Sequence, residues 1–509
     1  MTRSPGEHAE SDSVTVAAAK QRALIFIVAY NAEPFIESVL DRIPASIWNS
    51  ETCDSHVLVI DDSSTDRTYL KVEEYRKRHR RSNMTLLYNP RNQGYGGNQK
   101  IGFHYAVAND FDLVILLHGD GQYAPELLAD LIAPLCAADA DVVLGSRMLK
   151  KYDALKGGMP FYKWVGNLAL TKLQNLILGS RLAEFHTGYR AYRVAALKSI
   201  PFQRNSDYFD FDTEILIQMI QTGKKLREVP IPTFYGSEEC RVNGVRYAFL
   251  VLLACIRSRV QRLGIWYDPK FNYDASADSY TSKFGFVSSH QFALDRCCAG
   301  STVLDLGCGG GFMAQALQGR AVRVVSVDRV IQPLTEKCSA RSIQADLDEF
   351  EFDINERDIK TVLALDVINH LKSPEKFLAG IRQAYGNTSP ETIISTANVG
   401  FVLVRLALLF GSFNYGKRGI LDLDHKRLFT FASLRRILNT GGFEIEAAVG
   451  LPAPFPLAFG HGFLSRLLLF LNRALIAVSK SLFAYQIVFV VRPRPTLEHL
   501  LSDARKCQT

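Results

Sequence analysis

The first third of the chain alternates short apolar runs with polar, helix-like stretches. Apolar runs at 23–29, 56–60 and 85–88 are separated by a polar segment beginning at Pro34 and a charged segment near 69–80. Strands buried on both faces give continuous apolar runs, and their alternation with helices predicts a parallel sheet with crossover helices. Such sheets bind ligands at the carboxyl ends of their strands, so the polar residues that follow the runs form the candidate site.

The second half repeats this pattern after a stretch rich in Tyr, Asp and Ser at 268–282. Four of its apolar runs end in acidic residues, and two later runs, GFEIEAAVG and FAYQIVFVVRP, predict an antiparallel pair of edge strands. A chain of 509 residues exceeds the usual size of one core. We therefore predict an α/β protein with a tail at 1–21, a domain at 22–265, a linker at 266–284, a domain at 285–495 with an apolar insert at 452–483, and a tail at 496–509.

Composition and charge narrow the class of protein. Apolar residues make up 47% and charged residues 22% of the chain, as in ordinary globular proteins. The formal charge of +7 is modest and its cations are scattered, so it does not by itself indicate nucleic acid; we expect no nucleic-acid partner, and anionic ligands or an anionic membrane surface fit the charge equally well. Nine cysteines without CxxC spacing indicate neither a zinc site nor a disulfide framework, so we expect a reducing, cytoplasmic compartment.

Three stretches are apolar enough to suggest contact with a membrane: 245–264, 398–411 and 462–483. None reaches about 18 uncharged apolar residues, so no spanning helix is predicted, and the polar N-terminus predicts no signal peptide. In the last stretch Arg466, Arg473 and Lys480 recur every seven residues. That basic stripe is typical of a helix lying on the inner face of a membrane, or of a helix buried between the domains whose cations extend outward to solvent.

Carboxylates, glycines and amides follow the strands of the first domain. Asp61 and Asp62 follow one apolar run, where they would hold a ribose or base or cap the next helix. The segment 91–102, which contains Gly94 and Lys100, would bring backbone and cation to a phosphate. After the next apolar run, His118, Asp120 and Gln122 alternate. Asp120 and Gln122 supply oxygen ligands suited to Mg²⁺ or Mn²⁺ bridging a diphosphate.

Seven motifs in this order make residues 22–240 resemble glycosyltransferase family 2, and within it the dolichyl- or polyprenyl-phosphate sugar synthases. The motifs are AYNAE, DDSSTDRT, the glycine-rich segment, GDGQ, GSR at 145–147, HTGYRAYR at 186–193 and VPI at 229–231. The resemblance implies a GT-A fold, a Rossmann-like nucleotide-sugar fold. It also implies a nucleotide-diphosphate sugar bound by Ala29, Tyr30, Asn31, Glu33, Asp61, Asp62, Gly94 and Lys100.

The same resemblance assigns the metal and phosphate groups. Asp120, Gln122 and His118 become the metal site, with His118 standing where the family has a carboxylate. Asp120, Arg147 and Lys163 become catalytic. Binding of the acceptor phosphate is assigned to Arg147, Arg190 and Arg241. Each of these arginines could instead form an ordinary surface salt bridge.

The acceptor follows from the chemistry of the nucleophile. A sugar hydroxyl needs a carboxylate to take its proton, whereas a phosphate is already anionic and needs only cations. No Glu-Asp dipeptide follows the metal motif, and the nearest carboxylates, Asp210, Asp212 and Glu214, begin a predicted helix. We therefore expect a lipid phosphate acceptor, although a glycan hydroxyl stays open.

The second domain opens with a strand that ends at Asp305 and a glycine turn at Gly307, Gly309 and Gly311. Glycines at this spacing serve a dinucleotide or S-adenosylmethionine equally well. With Asp328 after the next strand, Asp346 after a short apolar stretch and TVLALDVINHL at 361–371, residues 285–495 resemble the class I methyltransferases. This implies a Rossmann-like seven-stranded sheet that binds S-adenosyl-L-methionine.

In this resemblance the cofactor is bound by Asp305, the three glycines, Asp328 at the ribose, Asp346 near the adenine, and Asp366. His370 is the catalytic candidate and would face the methyl group, or it is structural. Asn369 stands before it where the family often has Glu. His425 and Arg427 are polar groups of a segment, 414–431, that resembles the substrate-side insert of these enzymes.

The sequence therefore predicts a bifunctional enzyme at the cytoplasmic face of a membrane. It would load a sugar from a nucleotide-diphosphate donor onto a lipid phosphate or glycan and methylate a pathway-related acceptor. Two alternatives stay open: a polysaccharide glycosyltransferase acting on a hydroxyl, and a fusion in which one half binds substrate without catalysing.

Overall fold

The computed structural model of the protein describes residues 20–233, 243–272, 283–349, 354, 356, 358–460 and 462–506. These residues form two compact units. The N-terminal unit extends to Leu252, and the C-terminal unit begins at Leu253 and includes the short stretch Ile177–Gly179. The division falls before the predicted boundary at 265, inside a helix. Most of the predicted N-terminal tail and of the predicted linker lies outside the described residues.

The N-terminal unit contains a seven-stranded sheet flanked by helices. Its strands are β1 (Arg22–Ala29), β2 (Asp54–Asp61), β3 (Met84–Tyr88), β4 (Leu113–His118), β5 (Val142–Ser146), β6 (Arg190–Arg193) and β7 (Leu226–Pro230). Its helices are α1 (Ile36–Asp41), α2 (Ala45–Trp48), α3 (Thr68–Arg78), α4 (Gly94–Ala108), α5 (Leu128–Cys136), α6 (Lys151–Lys156), α7 (Phe161–Leu178), α8 (Val194–Lys198), α9 (Phe211–Gln221) and α10 (Gly244–Arg262), the last extending into the second unit.

The strand order in this sheet is β3-β2-β1-β4-β6-β5-β7. The predicted parallel arrangement is confirmed for β3, β2, β1 and β4, but β6 runs antiparallel to both of its neighbours. Because β6 is only four residues long, no apolar run in the sequence marks it. β1 and β4 lie in the middle of the sheet, and apart from Arg22 and His118 at their ends they are apolar and almost entirely buried on both faces.

The C-terminal unit contains a second seven-stranded sheet, in the order β10-β9-β8-β11-β12-β14-β13. Its strands are β8 (Thr302–Leu306), β9 (Arg323–Asp328), β10 (Arg341–Gln344), β11 (Ile359–Leu365), β12 (Glu391–Ala397), β13 (Phe443–Leu451) and β14 (Gln486–Pro493). Its helices are α11 (Ser289–Arg296), α12 (Phe312–Gln318), α13 (Pro333–Cys338), α14 (Pro374–Tyr385), α15 (Val402–Leu409), α16 (Phe431–Thr440), α17 (Phe455–Phe459), α18 (Phe463–Val478), α19 (Lys480–Phe483) and α20 (Leu497–Lys506).

This second sheet is doubly wound. The strand order reverses between β8 and β11, which creates a crevice at the carboxyl ends of these two strands. The predicted antiparallel pair is confirmed: β13 forms the edge of the sheet, and β14 lies between β13 and β12. The predicted apolar insert forms α17 to α19, and the predicted C-terminal tail forms α20 over most of its length.

Helix α18 has the reverse of the usual polarity of a surface helix. Its buried side chains are Ser465 and Asn472, and both hydrogen-bond to backbone groups of the same unit. Phe463, Phe470 and Val478 are 81%, 69% and 81% exposed. Within its own unit α18 therefore does not bury its apolar face, and burial of this helix between the two domains stays a prediction. None of the described helices has the length and apolarity that a bilayer span requires.

Packing of α4 against β1 depends on a glycine. A Cβ on Gly102 would lie 2.1 Å from the ring of Phe26. We expect Gly102→Ala to destabilise the N-terminal unit by about 1–3 kcal/mol, because crowding outweighs the roughly 1 kcal/mol that alanine gains in a helix. Calorimetry of the full chain should show one unfolding midpoint lowered by roughly 2–8 °C.

Gly166 in α7 is the matched control, since nothing lies within 4 Å of a Cβ built on it. Gly166→Ala should leave both midpoints unchanged or raise one. Equal midpoints for the two alanine variants would contradict tight packing between α4 and β1.

Candidate active sites

The loops after β1 and β2 are tied together by hydrogen bonds. The backbone N–H of Asn31 donates to Ser64 Oγ at 2.9 Å, and Asn31 Oδ1 accepts from the backbone N–H of Thr65 at 2.8 Å. Glu33 Oε2 accepts from the backbone N–H of Arg67 at 2.9 Å. Two of the predicted nucleotide-sugar residues, Asn31 and Glu33, thus shape the loop pair, while Ala29 ends β1 and Tyr30 is 41% exposed beside it.

Asp61 and Asp62 have different environments at the end of β2. Asp61 is fully buried; its Oδ1 accepts from the backbone N–H of Ser64 at 2.8 Å, and its Oδ2 has no hydrogen-bond partner among the described residues. Burial raises the pKa of this carboxyl. Asp62 accepts from the backbone N–H of Gln93 at 2.9 Å and of Gly94 at 3.0 Å. Asp62 therefore fixes the glycine segment, whereas Oδ2 of Asp61 is available to accept a hydrogen bond from a ligand.

Two other predicted ligands of the donor hold the same segment in place. Gly94 has φ of +79°, and a Cβ there would lie 2.7 Å from a backbone oxygen of Asp207, so only glycine fits. Lys100 Nζ forms an ion pair with Asp207 at 2.5 Å. Lys100 therefore anchors the turn before α9 and is partly neutralised, which weakens its case as a phosphate ligand.

His118 connects the predicted metal motif to a buried network. Tyr95 donates its hydroxyl proton to Asp212 at 2.9 Å, so the Tyr95 oxygen accepts from His118 Nε2 at 3.2 Å. Burial lowers the pKa of His118. The imidazole is thus neutral with its proton on Nε2, and Nδ1 carries the lone pair 4.0 Å from Asp120 Oδ2. A Cβ on Gly188 would lie 2.5 Å from this ring, which explains the glycine in HTGYRAYR.

Asp120 and Gln122 form the exposed side of this motif. Asp120 Oδ1 accepts from the backbone N–H of Gln122 at 3.1 Å, and the Asp120 side chain is 40% exposed. Within the described ranges no group of three His, Cys, Asp or Glu side chains is arranged to hold a metal ion. A metal here would need the amide of Gln122 or oxygens of the substrate to complete its coordination.

The predicted phosphate-binding cations differ in accessibility. Arg147 pairs with the fully buried Glu184 at 2.5 Å and donates to the carbonyl oxygen of His186 at 2.8 Å. Burial alone would raise the pKa of Glu184, but Arg147 holds it below its usual value. Lys163 lies half-buried on α7, and Arg241 lies outside the described residues.

Arg190 is not placed to bind an acceptor phosphate. Its side chain is fully buried, and its guanidinium donates to the carbonyl oxygens of Thr187, Phe185 and Asp212 at 2.6–2.9 Å. Its Nη2 also lies 3.7 Å from Asp212 Oδ2. The prediction of Arg190 as an acceptor ligand is therefore wrong, because this cation neutralises Asp212 in the core.

In the C-terminal unit, a cavity of about 880 Å³ opens at the carboxyl ends of β8 and β11. Gly307, Gly309 and Gly311 have φ of +75°, +50° and +76°, so the turn after β8 depends on glycine. Asp328 Oδ2 accepts from the backbone N–H of Gly309 at 2.8 Å, which ties this turn to the end of β9. The predicted cofactor residues that line the cavity are Asp305, Gly307, Gly309, Asp328, Asp346 and Asp366.

Asp305 resembles Asp61 in its environment. It is 2% exposed, and its Oδ2 has no hydrogen-bond partner among the described residues. Burial, with a smaller contribution from Asp328, raises its pKa to about 7. A cationic ligand in this cavity would stabilise the ionised form, so the residues fit a positively charged cofactor such as S-adenosylmethionine. Asp346 is exposed at the rim.

Asp366 is held by three partners, none of which the sequence indicated. It accepts from Lys283 Nζ at 3.0 Å, Ser395 Oγ at 2.8 Å and Gln486 Nε2 at 2.8 Å. Although burial acts in the opposite direction, Lys283 and the other donors lower its pKa to about 2. Lys283 falls at the end of the predicted linker and Gln486 opens a late strand, so neither belongs to a recognisable motif.

Two histidines face the same cavity from different segments. His370 follows β11, and His425 lies in the segment before α16. Their ring centroids are 4.9 Å apart with the planes at 74°. Backbone N–H groups of Lys426 and Arg427 donate to the carbonyl oxygen of Asn369 at 2.8 and 3.1 Å, which fixes this segment beside β11.

Comparison with known proteins agrees with both resemblances. Residues 24–200 match the family model for glycosyl transferase family 2, and residues 284–448 match a model for a methyltransferase domain. The UDP-N-acetylglucosamine–dolichyl-phosphate N-acetylglucosaminyltransferase of Methanococcus voltae is 28% identical over 42% of this chain and 85% of the relative. The dolichyl-phosphate hexose transferase of Haloferax volcanii is 30% identical over 46% of this chain and 93% of the relative.

Among solved structures, a SAM-dependent methyltransferase from Archaeoglobus fulgidus is similar to this chain. The alignment covers 40% of this chain and 94% of that methyltransferase, at 15% identity and a TM-score of 0.26.

The pKa of Asp305 makes stability depend on pH. An aspartate of ordinary pKa 3.8 ionises in the unfolded chain well before the folded pKa of about 7 is reached. Because the folded chain holds this proton more tightly than the unfolded chain, protonation of Asp305 stabilises the fold. This contribution to the free energy of unfolding is complete below about pH 4 and is lost as the pH rises through 7. Asp305→Asn has no proton to lose, so from pH 5 to pH 8 it should gain about 2–3 kcal/mol over the native chain.

Thermal unfolding of the cofactor-free full chain at these two pH values measures this gain. The exposed Asp346→Asn is the control for the same chemical change and should show no such trend. A constant difference between Asp305→Asn and the native chain at both pH values would contradict the raised pKa.

Proposed function

The chain belongs to glycosyl transferase family 2 and carries a second, methyltransferase domain, and we propose that it is a bifunctional enzyme. Its N-terminal unit transfers a sugar from a nucleotide-diphosphate sugar to a polyprenyl phosphate. Its C-terminal unit transfers a methyl group from S-adenosylmethionine to an acceptor of the same pathway. The names of the Methanococcus and Haloferax relatives, both dolichyl-phosphate transferases, support the lipid phosphate.

The observation that carries the acceptor class is the state of the carboxylates at the start of α9. Asp210, Asp212 and Glu214 are 6%, 7% and 2% exposed. Asp212 accepts from Tyr95 and lies beside Arg190, and the other two accept hydrogen bonds from Ser206. A carboxylate so enclosed is poorly placed to take a proton from a sugar hydroxyl, whereas a phosphate acceptor needs no such base.

For the donor, Asp61 supplies a buried carboxylate oxygen beside the tied loops after β1 and β2, which suits a ribose or base. Asp120, Gln122 and His118 Nδ1 would hold the divalent metal. The metal would neutralise charge on the donor diphosphate as the sugar leaves. A donor set of one imidazole nitrogen and two oxygens favours Mn²⁺ over Mg²⁺, because Mg²⁺ prefers oxygen ligands alone.

For location, α18 supports a peripheral attachment to the cytoplasmic face of a membrane. Phe463, Phe470 and Val478 project from the protein surface, and Arg466 and Arg473 are exposed on the same helix. An exposed apolar surface with neighbouring cations binds bilayers that contain anionic lipids. Attachment would bring the enzyme to the membrane in which a lipid-linked acceptor resides.

Transfer to a lipid phosphate can be measured directly. The full chain is incubated with Mn²⁺, undecaprenyl phosphate and a panel of radiolabelled UDP- and GDP-sugars. We expect one donor to yield a labelled lipid, and Asp120→Asn to reduce the rate about 100-fold or more because charge on the diphosphate is no longer neutralised. Asp130→Asn, an exposed carboxylate on α5, should match the native rate.

Transfer to an oligosaccharide but never to the polyprenyl phosphate would overturn the acceptor and favour a polysaccharide transferase. Native activity in Asp120→Asn would overturn the role of the motif, and no transfer with any donor would make this unit a binding module.

Membrane attachment is tested by charge reversal on α18. Arg466→Glu with Arg473→Glu should lower partitioning into vesicles of 30% anionic lipid by about tenfold or more, since each cation near such a surface contributes about 1 kcal/mol. Native partitioning should also fall as salt rises. Lys337→Glu with Arg436→Glu makes the same change of charge at exposed sites on α13 and α16 and should partition like the native chain. Equal partitioning of the two double variants would contradict attachment through α18.

A further inference from the structure

We propose that His425 is the general base of the methyl-transfer site and that the acceptor is a hydroxyl group, because a hydroxyl is a poor nucleophile until a base removes its proton. This rests on the proposed methyl transfer and deepens it. His425 lines the same cavity as the glycine turn and the acids assigned to the cofactor, together with His370. Its segment is fixed beside β11 by the carbonyl oxygen of Asn369.

Hydrogen bonding fixes the tautomer of His425. Its Nδ1 lies 3.1 Å from the carbonyl oxygen of Ile420, and a carbonyl oxygen can only accept. The neutral ring therefore carries its proton on Nδ1, and the lone pair is on Nε2. His370 has the same arrangement, with its Nδ1 3.3 Å from the carbonyl oxygen of Asp424.

The surroundings of His425 keep it in the basic form. Burial, followed by the neighbouring His370, lowers its pKa, which leaves the ring neutral at pH 7. Asp422 and Asp366 act in the opposite direction and are the weaker influences. The exposed Asp424 and Lys426 flank the ring in sequence and also line the cavity. His425 is half-buried whereas His370 is exposed, so His425 is the better shielded of the two.

The proposed step balances in atoms and charge. The acceptor oxygen forms a bond to the methyl carbon as the bond from that carbon to the sulfonium sulfur breaks. The electron pair of the broken bond stays on sulfur, which becomes the neutral thioether of S-adenosylhomocysteine. The acceptor proton passes to Nε2 of His425, and the resulting imidazolium, which keeps its Nδ1–H bond to Ile420, loses the proton to solvent afterwards.

The state of the ring is measured first, without any acceptor. Histidine-selective ¹⁵N NMR of the full chain, assigned by the signal lost in His425→Gln, should show a neutral ring protonated on Nδ1 at pH 7, with a pKa below 6.5. His370→Ala should raise that pKa, because it removes the neighbouring imidazole that lowers the pKa of His425. A ring that is cationic at pH 7, or protonated on Nε2 when neutral, would overturn the proposal.

Methyl transfer is then followed with labelled S-adenosylmethionine and a panel of undecaprenyl-phosphate hexoses. We expect His425→Ala to lower kcat about 100-fold or more, to keep its calorimetric affinity for S-adenosylmethionine, and to recover part of its rate with added imidazole. The native rate should rise with pH and level off above the pKa of His425, a step missing from the variant. His104→Ala, an exposed histidine on α4, should match the native chain.

An unchanged kcat in His425→Ala would overturn the role of His425 while the proposed methyl transfer stands. A native chain that binds no S-adenosylmethionine, or methylates no member of the panel, would overturn that proposed function instead. The proposed tautomer and pKa of His425 would then be tested by the NMR measurement alone.

Discussion

A carboxylate at the end of a buried strand needs either hydrogen-bond donors from the protein or a positively charged ligand. This requirement determines how both sites are arranged. Leaving an ionised carboxylate oxygen buried without a partner costs more than most single contacts contribute. Asp62 and Asp366 meet the requirement within the protein, through backbone N–H groups in one case and Lys283, Ser395 and Gln486 in the other. These satisfied carboxylates fix the loops around each site.

Asp61 and Asp305 do not fully meet it. Each has an oxygen without a partner among the described residues, and burial raises the pKa of both. Both lie beside glycine turns or loops at the carboxyl ends of parallel strands, where doubly wound sheets bind ligands. The same pairing of one anchoring and one unsatisfied acid therefore occurs in each unit, although the two sheets differ in strand order.

Hydrogen bonds to acceptor-only groups decide the chemistry of the histidines. Asp212 can only accept, so Tyr95 donates to it and His118 keeps its proton on Nε2. Carbonyl oxygens can only accept, so His370 and His425 keep theirs on Nδ1. In its neutral form His118 thus has its lone pair on Nδ1, 4.0 Å from Asp120, and His425, which lines the cavity, has its lone pair on Nε2. The proposed metal ligand, His118, and the proposed general base, His425, therefore differ in tautomer.

The sequence alone determined the class of both domains, because apolar runs and the polar residues after them are local features. Asp61, Asp120, Asp305 and Asp328 were identified in this way. It could not reveal the antiparallel β6, which is too short to give a pattern, nor the burial of Arg190, which depends on the carbonyl oxygens around it. The partners of Asp366, the tautomers of the histidines and the outward apolar face of α18 were likewise decided by tertiary structure. The partners Lys283 and Gln486 lie 83 and 120 residues from Asp366, so only the folded protein brings them within hydrogen-bonding distance. His425 and Ile420 are only five residues apart, but the backbone conformation that brings them together leaves no pattern in the sequence.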